Sequence, residues 1–336
     1  MRIKSLVLSA VLACAIPPSI SRAVPLFEDN FDADTSANWT TNASGLNDAA
    51  VFNFDYSTVG IPAAPGAGGT TRGLKLQANT AGGVLSGVSV SPIGQSFTGD
   101  YTLEFDAWHN YNGPLNGGGN GSTQVTGAGI GTAGTTPQWA GAVYDSVFFG
   151  ATGDGGSSID YRVYPKANTA SVASGMYAAG TSTSPDARNN DHPYYAAFGG
   201  NTAPAAQLEL YPGQTGTTSV GSQGFEWHHV GITKLGNTVT YSIDDTLIAT
   251  VDISAIQLGG SNILLNHFDI NATSSTDPLA ATLLFGLIDN VQVNAVVPEP
   301  GALTLLALSA LALKRGRRPK HRGIAVRHDP ASEGTI

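Results

Sequence analysis

The chain has 336 residues and a formal charge of −9, with only 12% charged residues but 42 glycines and 18 prolines. Its single cysteine excludes an intrachain disulfide framework. Between Val24 and Val297 six basic groups face twenty-two acidic ones, a formal −16 that disfavours nucleic acid and anionic lipid as partners. Such a body tolerates divalent cations or neutral glycans, and solubility outside the cell accounts for most of the acidity.

At the N-terminus Arg2 and Lys4 precede an apolar stretch from Leu6 to Ile16, and Ser21-Arg22-Ala23 supplies the small residues a signal peptidase needs. Residues 1–23 therefore read as a signal peptide cleaved after Ala23. A lipoprotein signal at Cys14 is the weaker reading, because the bulky Leu12 stands where a small residue is usual. Cleavage after Ala23 removes the only cysteine, so the exported domain relies on a hydrophobic core, for which roughly 270 residues are ample.

Residues 24–297 read as one all-β domain. No stretch of twelve or more residues keeps helical apolar spacing outside the two ends, whereas short runs with period-two alternation recur between Gly, Asn, Asp, Ser and Thr. Tyr101, Leu103, Phe105 and Ala107 alternate with Thr102, Glu104, Asp106 and Trp108. Val147 and Phe149 face Ile159, Tyr161 and Val163 across a glycine-rich turn, which predicts a hairpin. A second hairpin joins His228, Val230 and Ile232 to Val239, Tyr241 and Ile243, and a third strand, Leu247 to Val251, follows Asp244-Asp245. Leu283 to Phe285 and Leu287 to Val293 are the last apolar strands. Gly60 to Gly73, Tyr111 to Pro137 and Ala167 to Ala206 are poor in large apolar residues and read as long loops. The pattern predicts a two-sheet antiparallel jelly-roll-like sandwich.

At the other end, Pro298-Glu299-Pro300 leads into an apolar run from Gly301 to Leu313, then Lys314, Arg315, Arg317, Arg318, Lys320 and Arg322. A helix of thirteen residues rises about 20 Å against roughly 30 Å of hydrocarbon, so it makes a poor permanent anchor but a good transient one. Residues 298–322 resemble the bacterial PEP-CTERM sorting tail. The resemblance implies processing by an exosortase-type membrane enzyme and delivery to the cell surface or extracellular matrix. An ordinary short membrane anchor is the alternative. Residues 323–336 extend past the usual end of that motif and are expected to be disordered.

Leu26-Phe27-Glu28-Asp29-Asn30-Phe31-Asp32 followed by Trp39-Thr40, the segment Phe225-Glu226-Trp227-His228-His229-Val230 with Val239 to Asp245, and Leu287-Ile288-Asp289-Asn290-Val291-Gln292-Val293 together resemble concanavalin A-like, laminin-G-like domains. The resemblance implies a closing strand that returns beside the opening one. The chain departs from that pattern at Asp245, which replaces the usual glycine of the turn. Some relatives are glycoside hydrolases with carboxylates at i, i+2 and i+4 of one strand. Here Glu104 and Asp106 fill two of those places and Trp108 the third, so the pair that glycoside hydrolysis needs is incomplete, and the expectation is a non-enzyme. His228 and His229 point to opposite faces of a strand and cannot form a metal pair by themselves: one is expected to pack near Trp227, the other to be exposed.

A structural Ca²⁺ is the one cofactor expected, with Asp29, Asp32, Asp269 and Asp289 as candidate ligands near the joined chain ends. The leading molecular role is carbohydrate binding, for example to extracellular polysaccharide, with a structural matrix protein as the alternative. Sugar rings stack on aromatic faces, and Trp108, Tyr111, Trp139, Tyr144, Tyr194 and Tyr195 lie closest to the long polar loops.

Overall fold

The structure is a computed structural model that describes residues 25–45, 47–81, 83–114, 123–165, 175–177, 188–271 and 278–296. The segments expected to be a signal peptide and a sorting tail, residues 1–23 and 298–322, lie outside the described residues, as does the 323–336 tail. Among the described residues no helix is long and apolar enough to cross a membrane.

Two antiparallel sheets stack face to face. The larger contains β1 (Pro25–Asp29), β3 (Ala49–Asp55), β4 (Arg72–Gln77), β6 (Tyr101–Asn110), β10 (Gly175–Tyr177), β11 (Trp227–Leu235), β12 (Thr238–Ile243), β13 (Thr246–Asp252) and β15 (Phe285–Ala295). Its order is β10-β13-β12-β11-β6-β15-β4-β3, with β1 also paired to β15. The smaller sheet runs β2-β5-β14-β7-β8-β9, formed by β2 (Trp39–Ala43), β5 (Ser86–Pro92), β7 (Gln124–Thr132), β8 (Val147–Thr152), β9 (Tyr161–Tyr164) and β14 (Asn262–Asp269). The described helices are short: α1 (Ala205–Leu210) and α2 (Ala280–Leu283). This is the jelly-roll-like sandwich that the alternation predicts.

The pattern of alternation explains which faces are buried. Leu103, Phe105 and Ala107 of β6 meet Val88 and Val90 of β5, Phe149 of β8 and Leu265 of β14 in the core between the sheets. Both expected hairpins form, with Phe149 opposite Val163 and Val230 opposite Ile243. The closing strand lies beside the opening one, pairing Glu28 with Gln292 and Asp29 with Val291. The β12–β13 turn holds Asp244 and Asp245 at φ of 47° and 61°, a left-handed pair that Asp tolerates at modest cost because its short side chain bonds locally.

Two sequence expectations are corrected. Leu283 ends the helical turn α2, so the last strand starts at Phe285 and runs unbroken through Ala295. The stretch Tyr111 to Pro137 is not all loop: Gln124–Thr132 is an interior strand of the smaller sheet, buried along its whole length. Its small residues are the reason. A side chain at Gly129 would collide with Phe148 and the carbonyl of Val147 on β8, so glycine lets the two strands close up where large residues would signal a strand but not fit.

Each sheet also carries a covered patch on its outer face. On the larger sheet Trp108, Phe285 and Leu287 form a second cluster with Phe225, beneath the segments that carry Tyr56, Val59, Ile61, Ala203 and Leu283. On the smaller sheet Trp139, Tyr144, Phe148, Tyr164, Leu264 and Phe268 form a third.

Candidate functional site

The outer face of the larger sheet is open where β1, β15, β6 and β11 run side by side. Strand pairing aligns their side chains in rows, because residues directly opposite one another share a face. Glu104 on β6 lies between Gln292 on β15 and Gly231 on β11, and Gln292 in turn lies beside Glu28 on β1. Two residues along, Asp106 is opposite His229, and two further along Trp108 is opposite Trp227.

One bulge shapes this face. Between Asp289 and Gln292, β15 takes three steps while β6 takes two, from Asp106 to Glu104, and Asn290 adopts φ 53°. The extra residue aims the Asn290 amide across the strand, where its Nδ2 donates to Asp106 Oδ2 at 2.7 Å. The backbone N–H of Gly66 donates to the same oxygen at 3.3 Å. A Cβ at Gly66 would lie 2.9 Å from Asn290 Nδ2 and 3.1 Å from Asp106 Oδ2, so any larger residue there would press on both side chains.

These residues line a cavity of about 390 Å³ with Glu104, Trp227, His229, Asp244 and Gln292 on its walls. An adjoining cavity of about 510 Å³ shares Gly66, Asn290 and Gln292 with it and continues over β1 past Glu28 and Asp29. The two form one groove across four strands.

Asp106 Oδ1 lies 3.5 Å from His229 Nδ1, and this carboxylate holds the imidazole above its ordinary pKa. Asp244 Oδ1 accepts the His229 backbone N–H at 2.8 Å, and its Oδ2 lies 2.6 Å from His228 Nδ1. Trp227 is half-buried: its Nε1 donates to the Pro62 carbonyl at 2.8 Å, and its ring rests on Tyr56 and Trp108 at 5.3 and 5.6 Å. Behind the groove the fully buried Asp289 accepts from Tyr56 Oη at 3.0 Å and from the Asn290 N–H at 2.7 Å. Burial, with the nearby charges of Asp106 and Asp32 adding to it, pushes its carboxyl up to about 7.

All six aromatics expected to stack on sugars are placed elsewhere, five of them buried. Trp108 and Tyr111 are sealed in the outer cluster of the larger sheet, and Trp139 and Tyr144 in that of the smaller. Tyr195 is buried in the central core, stacked on Tyr161 at 4.1 Å. Tyr194 is 38% exposed, but its hydroxyl is spent on the Leu247 carbonyl, away from the groove. None of the six lines either cavity. The exposed aromatic wall is Trp227, which the hairpin motif contains but which alternation alone does not distinguish from Trp108. The two histidines do point to opposite faces: His228 is buried with its ring edge-on to Phe198 rather than on Trp227, and His229 is open.

The calcium candidates are only partly brought together. Asp29 pairs with Val291, two residues from Asp289, and Asp32 lies near enough for its charge to act on Asp289, but Asp269 lies on β14 of the other sheet. There it accepts from Asn79, Gln124 and the N–H groups of Thr123 and Asn271. Asp29 accepts from Trp39 Nε1 and the Phe31 N–H, so its oxygens are also engaged, as those of Asp289 are. Among the described residues no group of three or more His, Cys, Asp or Glu is placed to hold a metal ion. The four aspartates are thus not gathered as one site among the described residues.

No protein-family model and no curated protein matches the chain. Several solved structures are similar to it. The carbohydrate recognition domain of Emp47p is 11% identical, with 82% of this chain and 92% of that chain covered and a TM-score of 0.38. A Bacillus licheniformis beta-glucanase is 10% identical over 80% of this chain and 98% of its own, at 0.40. The exoplasmic/lumenal domain of VIP36, in a Ca²⁺/Man2-bound form, is 8% identical over 82% and 89%, at 0.42.

Proposed function

We propose that this protein is an exported, surface-sorted, non-enzymatic carbohydrate-binding protein of the cell envelope or exopolysaccharide, and that it holds a glycan in the groove across β1, β15, β6 and β11. One observation carries the reading: the open groove sets the half-buried ring of Trp227 beside polar groups suited to sugar hydroxyls. A sugar presents apolar C–H faces to an aromatic ring and hydroxyls to carboxylates and amides. Glu104, Asn290 and Gln292 supply those partners, and the β-sheet floor keeps them in fixed register.

The non-enzymatic part of the proposal rests on β6. Its outward face carries Glu104 and Asp106, but the third place is Trp108, whose Nε1 donates to Asn110 inside the outer cluster. Asp106 is already engaged by Asn290, Gly66 and His229, which leaves Glu104 without an evident carboxyl partner for acid and nucleophile roles. Export and sorting rest on the two chain ends, whose signal peptide and Pro-Glu-Pro tail would deliver the domain through signal peptidase and an exosortase-type enzyme.

The test is a glycan array probed with the full chain and with Trp227→Phe, which keeps an aromatic group in the outer cluster but loses the wider ring. Binding to a defined glycan set, reduced in Trp227→Phe while the melting temperature holds, supports the proposal. Wild-type chain that binds no glycan, or hydrolyses one that it binds, contradicts it.

A further inference from the structure

The groove is acidic in a way that its proposed role does not require. Glu28, Asp29, Glu104, Asp106 and Asp244 line its two cavities, against the single imidazole of His229, and no Lys or Arg is among the lining residues. The acids are not equally available. Asp106 faces His229, Asp244 faces His228, and Asp29 is held by Trp39 and the Phe31 N–H. Glu104 receives only the Asn294 amide, at 3.3 Å, and Glu28 stands exposed on the edge strand.

These two open carboxylates lie in one row, separated by Gln292. At the usual spacing of neighbouring strands, Glu28 and Glu104 project about 10 Å apart on the same face. The neighbour of Glu104 on β11 is Gly231, which places no side chain of its own beside the carboxylate; the Ser242 hydroxyl lies 2.9 Å from where a Cβ there would sit. The aromatic wall of Trp227 is two rows away and completes a surface on which a ring can lie.

Resting on the carbohydrate-binding reading, we infer that the ligand is a glycan bearing free primary amines, a de-N-acetylated amino-sugar polymer, with its ammonium groups on Glu104 and Glu28. An ammonium offers three donors and satisfies a carboxylate that has little else to accept from, which makes a charge-assisted bond. The amides of Asn290 and Gln292 and the ring of Trp227 take the neutral parts of the sugar, which distinguishes this ligand from a basic peptide. A uronic acid polymer meets the same carboxylates as repulsion, reinforced by the acidity of the whole body.

Calorimetric titration of the full chain with glucosamine oligomers, N-acetylglucosamine oligomers of equal length, oligogalacturonate and oligolysine tests the inference. The expected result is that the free-amine oligomer binds about tenfold more tightly than the acetylated one, as one partly desolvated charge-assisted bond provides. That preference falls to near unity in Glu104→Gln and in the Glu28→Gln/Glu104→Gln pair, with melting temperatures unchanged. Equal affinity for the amine and acetylated forms, or tighter binding of oligogalacturonate, overturns the amine assignment and leaves glycan binding standing. Oligolysine that binds as well as the sugar and loses affinity equally in Glu104→Gln also overturns it, since the groove then reads charge alone. No binding of any sugar overturns both readings together.

Discussion

Asp289→Asn isolates the buried acid behind the groove. The Asp289 carboxyl is fully buried, and its pKa rises from 3.8 to about 7 on folding. Because the folded value lies above the unfolded one, the stabilisation associated with the protonated form is complete below about pH 4 and is lost as pH rises to 7. Each unit is worth about 1.4 kcal/mol, so the full loss is at most about 4 kcal/mol, and the share falling between pH 5.5 and 8 is at most about 2 kcal/mol. Asparagine keeps the shape and an acceptor for Tyr56 but has no proton to lose. Urea denaturation of wild type and variant at pH 5.5 and pH 8 measures the difference directly, since the other titrating groups cancel between the two proteins. Those groups are substantial: burial holds His109 and His267 neutral down to about pH 3, an opposing effect that weakens both proteins in acid. The variant is expected to gain about 1–2 kcal/mol relative to wild type on going from pH 5.5 to pH 8. A gain that does not change with pH would show that Asp289 stays ionised in the fold and would refute the reasoning.

Other substitutions probe the layers beneath the site. Lys75 is buried with its Nζ 4.7 Å from the ring centres of both Phe54 and Phe285, and burial lowers its pKa to about 8. Since the folded value is depressed, the cost of the buried charge is full below pH 8 and fades towards pH 10.5. Lys75→Met is therefore expected to raise stability by about 1 kcal/mol at pH 7 and by less at pH 10, measured by denaturant titration. Gly129→Ala forces a methyl group into Phe148 and the Val147 carbonyl, and a loss of about 3 kcal/mol or more is expected by thermal unfolding. Gly66→Ala presses on Asn290 and Asp106 in the groove; it is expected to weaken glycan affinity severalfold while shifting the melting temperature by only a few degrees.

The sandwich was legible in the sequence because its main strands bury one face and expose the other. Leu103, Phe105 and Ala107 of β6 alternate with polar neighbours, and the β11–β12 and β8–β9 hairpins carry the same signature. Strand β7 was hidden because its interior position demands glycines, which read as loop. The groove was half legible. Glu104 and Asp106 stand out as paired acids on one strand, but their partners arrive from 40 to 190 positions away, through a bulge at Asn290 and a loop at Gly66 that no local pattern announces. The aromatics misled for a related reason. Period-two alternation says that Trp108 leaves the central core, but not that the segments around Tyr56, Ile61 and Leu283 then cover it. Trp139 and Tyr144 lie on no strand: they sit in the connection between β7 and β8 and pack over Phe148, Leu264 and Phe268 of the smaller sheet.

The central claim is that ligand contacts the outer face of the larger sheet at Trp227. Three of the four tryptophans, Trp39, Trp108 and Trp139, are buried, so Trp227 alone offers an accessible indole. Hydroxyl-radical footprinting of the full chain, with and without a saturating glycan, reads this side chain against Tyr194, the exposed aromatic away from the groove. The account predicts strong ligand protection at Trp227 and none at Tyr194. Protection at Tyr194 with Trp227 unchanged would contradict it.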